Sequence, residues 1–128
     1  MEPRKRKDYR DLVLWQKAME LAAETHFVTR KLPPHEMFGL ASQSRGAAVS
    51  IPSNIAEGAA RRTTREFVWF LHVARGSLAE LQTQLQLAQL VGYVSDSDIA
   101  CARALMDEVG RLLNAVIGGL RRRQAATL

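Results

Sequence analysis

Residues 67–88 read Phe67-Val68-Trp69-Phe70-Leu71-His72-Val73-Ala74-Arg75-Gly76-Ser77-Leu78-Ala79-Glu80-Leu81-Gln82-Thr83-Gln84-Leu85-Gln86-Leu87-Ala88. Within them Phe67, Leu71, Ala74, Leu78, Leu81, Leu85 and Ala88 step by 4, 3, 4, 3, 4 and 3. Those steps bring the apolar residues onto one face of an α-helix, whereas a half-buried strand would need alternation at every second residue. Thr63 or Thr64 is a suitable N-cap, Glu66 sits in the first turn, and Gly92 ends the pattern. The spacing predicts a helix over 64–91.

The same rhythm extends in both directions. Ile99, Ala102, Met106, Val109, Leu113, Val116 and Leu120 predict a helix over 96–120, with Asp96 and Asp98 at the positive end of its dipole. Upstream, Met37, Ala41, Ser44, Ala48, Ile51 and Ile55 predict a helix over 35–57. Its stripe is made largely of small residues, so its neighbours can approach closely. Pro52 should kink this helix or free a carbonyl, and Gly58 reads as the residue just past its end. Leu14, Ala18, Leu21, Thr25, Val28 and Leu32 predict a first helix over 11–32, stopped by Pro33-Pro34. Residues 1–10 read as a basic tail, and 123–128 as a frayed end of a bundle spanning 11–122.

Breaks of only a few residues force successive helices to run antiparallel, and a seven-residue repeat implies left-handed packing near 20°. The fold expected is all-α: a left-handed, up-down-up-down four-helix bundle. A length of 128 residues suits one domain, and 47% hydrophobic with 24% charged residues excludes disorder throughout. A single cysteine, Cys101, excludes a disulfide framework and a multi-cysteine zinc site. It reads as a small packed residue beside the fourth stripe. No apolar run has membrane-spanning length, and the charged N-terminus leads into no signal-peptide core. A cytoplasmic location is expected.

The central sequence is more specific than periodicity alone. It runs Gln43-Ser44-Arg45-Gly46-Ala47-Ala48-Val49-Ser50-Ile51-Pro52-Ser53-Asn54-Ile55-Ala56-Glu57-Gly58, and it is followed by Glu66-Phe67, Phe70-Leu71 and Ala74-Arg75-Gly76-Ser77-Leu78-Ala79-Glu80. Leu14-Trp15-Gln16-Lys17-Ala18, Leu32-Pro33 and Gly39-Leu40 precede it. Across about residues 8–120 the chain resembles the bacterial four-helix-bundle family first named for reading frames inside intervening sequences of large-subunit (23S) ribosomal RNA genes. Gly46 departs from the family pattern, which usually has a large or basic residue there. The resemblance implies a ring-like homopentamer. It also implies similarity to the accessory protein of diversity-generating retroelements, which binds nucleic acid and a reverse transcriptase. It supplies no catalytic residues, and most of the family has no established activity.

The motif residues admit physical readings of their own. Counted outward from Arg61, Gly46 and Gly76 fall at the same height of an antiparallel hairpin. Two helix-interior glycines at one level, each costing about 1 kcal/mol relative to alanine, suggest a close crossing of the second and third helices. Arg45, Arg75, Glu80, Gln43 and Asn54 could form a polar layer. Such a layer is either a pocket lined by Arg and Glu or, in the reading favoured by ion-pair energetics, a structural network that fixes register. Ser50 and Ser77 belong to the same motif, while Asn54 and Glu57 suit capping and ion pairing. A catalytic carboxylate here would lack both a partner acid and a nucleophile. His26, His35 and His72 have no ligand spacing, and no helix carries the Glu-x-x-His pair of a di-iron bundle. No cofactor, metal or catalytic residue is expected. Trp69, Phe70, Val73 and Leu87 lie off the main stripe of the third helix and are candidates for a subunit interface; Leu105 and Leu112 are similarly placed on the fourth.

The net charge is +5. Antiparallel topology collects much of it at one end: Arg4, Lys5, Arg6, Lys7, Arg10, Arg61, Arg62, Arg65, Arg121, Arg122 and Arg123 against Glu2, Asp8, Asp11, Glu57 and Glu66. Eleven basic and five acidic residues leave +6 there and −1 elsewhere. Arg121 to Arg123 and Arg61 to Arg62 suit helix C-termini, but Arg4 to Lys7 precede a helix start, where positive charge is disfavoured. The expectation is a non-enzymatic oligomer that binds RNA, DNA or a nucleic-acid-bound protein through this end. The alternative is an interaction scaffold whose charge is incidental.

Overall fold

A computed structural model describes residues 8–126. Four helices dominate it: α1 (Val13–Thr29), α2 (Leu40–Ala59), α3 (Thr64–Leu90) and α4 (Asp96–Ala126), with 3-10 turns at Tyr9–Asp11 and Pro34–Glu36. α1 packs on α2 and α4, and α3 packs on the same two; the diagonal pairs do not meet. Cross-helix pairs establish the directions. Lys31 meets Asp98 and Lys17 meets Glu108, so α1 and α4 run oppositely. Ser50 meets Ser77, and Gly58 faces Phe67 and Phe70, so α2 and α3 do likewise. The chain is therefore a four-helix bundle, with no strand among the described residues.

The stripes build the core. Leu14, Leu21, Ile51, Ile55, Leu71, Leu81, Leu85, Ile99 and Leu113 are its largest fully buried side chains. Burying each contributes about 1.5–3 kcal/mol, before the entropy of ordering the chain is subtracted. Thr63 caps α3 by accepting the Glu66 amide.

Several expected boundaries move, each for a local reason. α1 begins at Val13 and ends at Thr29, because residues before it form a separate turn closed by a reciprocal Asp8–Asp11 capping box. α2 begins at Leu40 rather than 35: Pro34 starts a 3-10 turn, and Gly39 takes a non-helical backbone conformation (φ −108°, ψ −113°). Met37 therefore leaves the stripe and is 55% exposed. α4 continues to Ala126, so residues 123–126 are helical rather than frayed. Leu120 to Ala126 contain no glycine or proline, and the arginines sit at the favourable negative end of the helix. Residues 127–128 lie outside the described part.

Two stripes also drift. Val68 is buried where Phe67 is only half-buried, and Ile117 replaces Val116. A helix of 3.6 residues per turn rotates about 20° per heptad away from a strict seven-residue repeat, which late in α4 brings Ile117 inward in place of Val116; Phe67 lies in the first turn of α3, against Gly58. Cys101 is exposed, because its neighbour Ala102 occupies the core position.

α2 runs unbroken through Pro52. Near it, Asn54 donates to both the Ser50 carbonyl and the Ser50 hydroxyl, reinforcing the turn, and Ser50 bonds Ser77 at 2.8 Å. At the opposite end of the bundle Lys31 bonds Asp98 at 2.7 Å. That bond, with the Ser95 amide and hydroxyl, lowers the Asp98 pKa from 3.8 to about 2. A lowered carboxyl pKa contributes stability above the unfolded value, lost as pH falls through the folded one. Melting measured from pH 5 to pH 2 should show wild type losing stability between pH 4 and 2 more steeply than Asp98→Asn. Equal slopes would refute the contribution.

Candidate nucleic-acid interface

The end of the bundle opposite Asp98 is formed by the start of α1, the α2–α3 turn and the last turns of α4. Tyr9 reaches the groove between α1 and α2, beside Trp15, Pro52 and Ala56. It packs edge-on against Trp15 at 5.3 Å, and Arg10 lies over its ring. Gln16 ties this segment down by donating to the Arg10 carbonyl. Arg10 is thereby held beside Tyr9 at the start of α1. On the other side, Arg121 contacts His72, two turns into α3, so Arg122 and Arg123 lie alongside the first turns of α3.

The four carboxylates described at this end are already engaged. Asp8 pairs with Arg10 at 3.3 Å, and Asp11 accepts the Asp8 amide. Glu57 holds Arg61 at 2.9 Å, one helical turn away, and Glu66 pairs with Thr63 and lies 3.9 Å from Arg61. Arg61 also covers the Phe70 ring at 4.9 Å. Arg62, Arg65, Arg122 and Arg123 are exposed, and none has a carboxylate within ion-pair distance among the described residues. Arg121 likewise faces a histidine instead of an acid. The sequence-predicted Arg10, Arg61, Arg62, Arg65 and Arg121 to Arg123 are thus brought to one end; Arg10 and Arg61 are paired with acids there, and the other five have no acidic partner among the described residues. Arg4, Lys5, Arg6 and Lys7 lie outside the described residues.

The expected polar layer does not form. Arg45 turns to α1 and donates to the Thr29 hydroxyl at 2.8 Å. Arg75 turns to α4 and donates to the Asn114 side-chain oxygen at 3.1 Å. Asn54 stays on its own helix with Ser50, while Gln43 and Glu80 flank an open groove between α2 and α3. One helix presents these groups at several angles, so height alone does not make them converge.

The glycine reading is also corrected. A Cβ added at Gly46 or Gly76 would meet nothing within 4 Å, so neither marks a crossing. The close approach is at Gly58. There a Cβ would lie 2.7 Å from Phe70 Cβ and 3.0 Å from Phe67 Cδ1. Gly58 is a buried residue inside α2, not the residue past its end. Phe70, a candidate for a subunit interface, is instead half-buried within this hairpin between Gly58 and Arg61. Trp69, packed edge-on against it at 4.9 Å, is 61% exposed, Val73 is half-buried, and Leu87 is exposed.

His72 is not the isolated histidine that its spacing in the sequence suggests. It sits between two guanidiniums: Arg75 at 3.0 Å from Nδ1 and Arg121 at 2.9 Å from Nε2. Burial, then Arg75 and Arg121, hold its pKa below 6.5. The Arg75 spacing of three was visible in the sequence. The α4 partner required the α3–α4 register. Of the other histidines, His26 bonds the Ala22 carbonyl and His35 meets Tyr93. No helix among the described residues is long and apolar enough to cross a membrane.

Comparison with known proteins accords with this architecture. A protein of unknown function from the S23 ribosomal protein family of Bacteroides thetaiotaomicron has a similar crystal structure, with a TM-score of 0.76 and 22% identity. The match covers 82% of this chain and 98% of that one. At that identity it speaks for the fold alone. Curated protein sequences give no match. The profile of the 23S rRNA-intervening sequence proteins matches residues 10–115, most of the bundle including its whole central motif, and the chain belongs to that family.

Proposed function

We propose that this protein is a non-enzymatic, oligomeric helical bundle that holds the phosphate backbone of nucleic acid at its basic end. The observation that carries the reading is the charge imbalance there. The nearby acids serve Arg10, Arg61 and local caps, so Arg62, Arg65, Arg122 and Arg123 keep their charge for an outside partner. Guanidiniums that neutralise phosphates release condensed counterions, so binding of this kind is salt-dependent and tolerant of sequence. In a cyclic oligomer the patch would repeat around a rim. A second apolar set on α3, Trp69, Val73 and Leu87, supports assembly. It is separate from the core stripe, and it leaves Trp69 61% and Leu87 47% exposed.

Titration with random-sequence duplex DNA and single-stranded RNA over a salt series tests the proposal. The expected result is binding at about 50 mM salt that weakens steeply towards 200 mM, with little preference among sequences. Absence of binding at low salt would leave an interaction scaffold as the better reading. Solution mass tests assembly separately: a ring of five protomers is expected, and a monomer at micromolar concentration overturns it.

A further inference from the structure

The His72 contacts have a chemical inconsistency that points to a ligand. A neutral imidazole carries one N–H and one lone pair, so it accepts a hydrogen bond at only one nitrogen. Guanidinium nitrogens, which only donate, nevertheless lie 3.0 Å from Nδ1 and 2.9 Å from Nε2. One of these contacts therefore sets donor against donor. Protonating the ring makes both contacts unfavourable, in keeping with the depressed pKa. Asn114 offers Arg75 one acceptor, but no carboxylate pairs with Arg75 or Arg121 among the described residues. The cluster holds two fixed positive charges and a ring N–H, and the protein's own acceptors there are Asn114 Oδ1 and one ring lone pair.

We infer that His72, Arg75 and Arg121 form an oxyanion site on the α3–α4 face that takes a phosphate group. An oxyanion seated between the guanidiniums accepts from both of them and from the ring N–H, removing the donor–donor conflict. Asn114 positions Arg75 through its 3.1 Å contact. Phosphate fits better than a single carboxylate because its several oxygens can serve separate donors, and because two guanidiniums exceed the charge of one carboxylate. The group can be a free phosphate or a backbone phosphodiester. The site does not depend on the basic-end reading. If both hold, it extends the contact surface from the last turns of α4 along α3.

The test is NMR of the 15N-labelled full chain, following the His72 ring nitrogens. One arm adds inorganic phosphate at constant ionic strength, with chloride as the control; the other adds a short oligonucleotide. Phosphate should shift the His72 signals where chloride does not. It should also raise the His72 pKa by roughly one unit, since a nearby anion favours the imidazolium. Arg75→Gln and Arg121→Gln should each weaken phosphate binding about tenfold or more, while His26 and His35 signals stay in place. A response to phosphate alone identifies a small-molecule site, and a response in the oligonucleotide arm identifies a backbone contact. Indifference of His72 to both arms overturns the inference, whether or not the arginine variants fold, because the wild-type titration decides it. Loss of nucleic-acid binding elsewhere leaves the phosphate arm intact, so the two proposals fail separately.

Discussion

Gly58→Ala should destabilise the bundle by about 2 kcal/mol, whereas Gly46→Ala and Gly76→Ala should each stabilise it by about 0.5–1 kcal/mol. Alanine is the better helix former at all three positions, so propensity alone predicts a gain of about 1 kcal/mol each time. At Gly58 the surroundings reverse the sign. The new Cβ would sit 2.7 Å from Phe70 Cβ and 3.3 Å from the Phe67 carbonyl oxygen. Those atoms belong to the α3 backbone or are fixed directly to it, so no rotamer change relieves the clash, and the first turns of α3 must move away. Overpacking of this kind costs about 1–3 kcal/mol or more, which exceeds the propensity gain. At Gly46 and Gly76 nothing lies within 4 Å, and the gain survives. For a chain of this length 1 kcal/mol corresponds to a shift of about 3–6 °C in Tm. Thermal melts should therefore show Gly58→Ala clearly below wild type and the other two above it. A stabilised Gly58→Ala would refute the close approach. Destabilised Gly46→Ala or Gly76→Ala would mean that another subunit covers that face.

That contrast shows where sequence was sufficient and where it was not. The 4-3 stripes announced four helices because burial of Leu71, Leu81, Leu85 and their counterparts requires one apolar face per helix. Short breaks then dictated which ends meet, and the grouping of Arg10, Arg61, Arg62 and Arg65 with Arg121 to Arg123 followed. Lateral register was the missing quantity. Counting outward from Arg61 pairs residues whose numbers add to about 122, but Ser50 actually meets Ser77, five positions further on. Helical side chains lean towards the N-terminus of their own helix. In an antiparallel hairpin α2 side chains thus lean away from the turn and α3 side chains towards it. A residue of α2 consequently meets a residue of α3 that lies further along the chain than backbone height suggests. Equal height therefore did not identify the close approach, which is at Gly58 and not at Gly46 and Gly76. Lack of register also hid the His72 cluster, since an interhelical trio is recognised only when register is known. Direction around the helix was the second missing quantity, and it sent Arg45 to Thr29 and Arg75 to Asn114 rather than into one polar layer.

Replacing Arg62, Arg65, Arg122 and Arg123 together with glutamine should flatten the salt dependence of nucleic-acid binding more than any other change to the described surface. Each duplex phosphate neutralised by a basic group contributes about −0.9 to the slope of log affinity against log salt. If all four arginines touch backbone, the variant's slope is shallower by up to about 4 per protomer. Between about 50 and 200 mM salt the wild-type protein then loses roughly a hundredfold more affinity than the variant does. Folding should be nearly unaffected, because exposed side chains without partners usually change stability by no more than about 0.5 kcal/mol. The control is a pair of substitutions at the other end, Arg30→Gln and Arg103→Gln. Arg103 is already engaged by Asp96 and Gln89, and Arg30 lies over the Phe27 ring. They change net charge with the same sign but lie far from the proposed contact, so they should barely alter the slope. Equal effects from the two sets would mean that total charge, not a defined interface, attracts the nucleic acid. An unchanged slope in the basic-end variant would move the contact away from these four arginines. The comparison is made at matched protein concentration, because assembly multiplies the number of patches one polymer can touch. It therefore separates a placed set of guanidiniums from the net +5 of the whole chain.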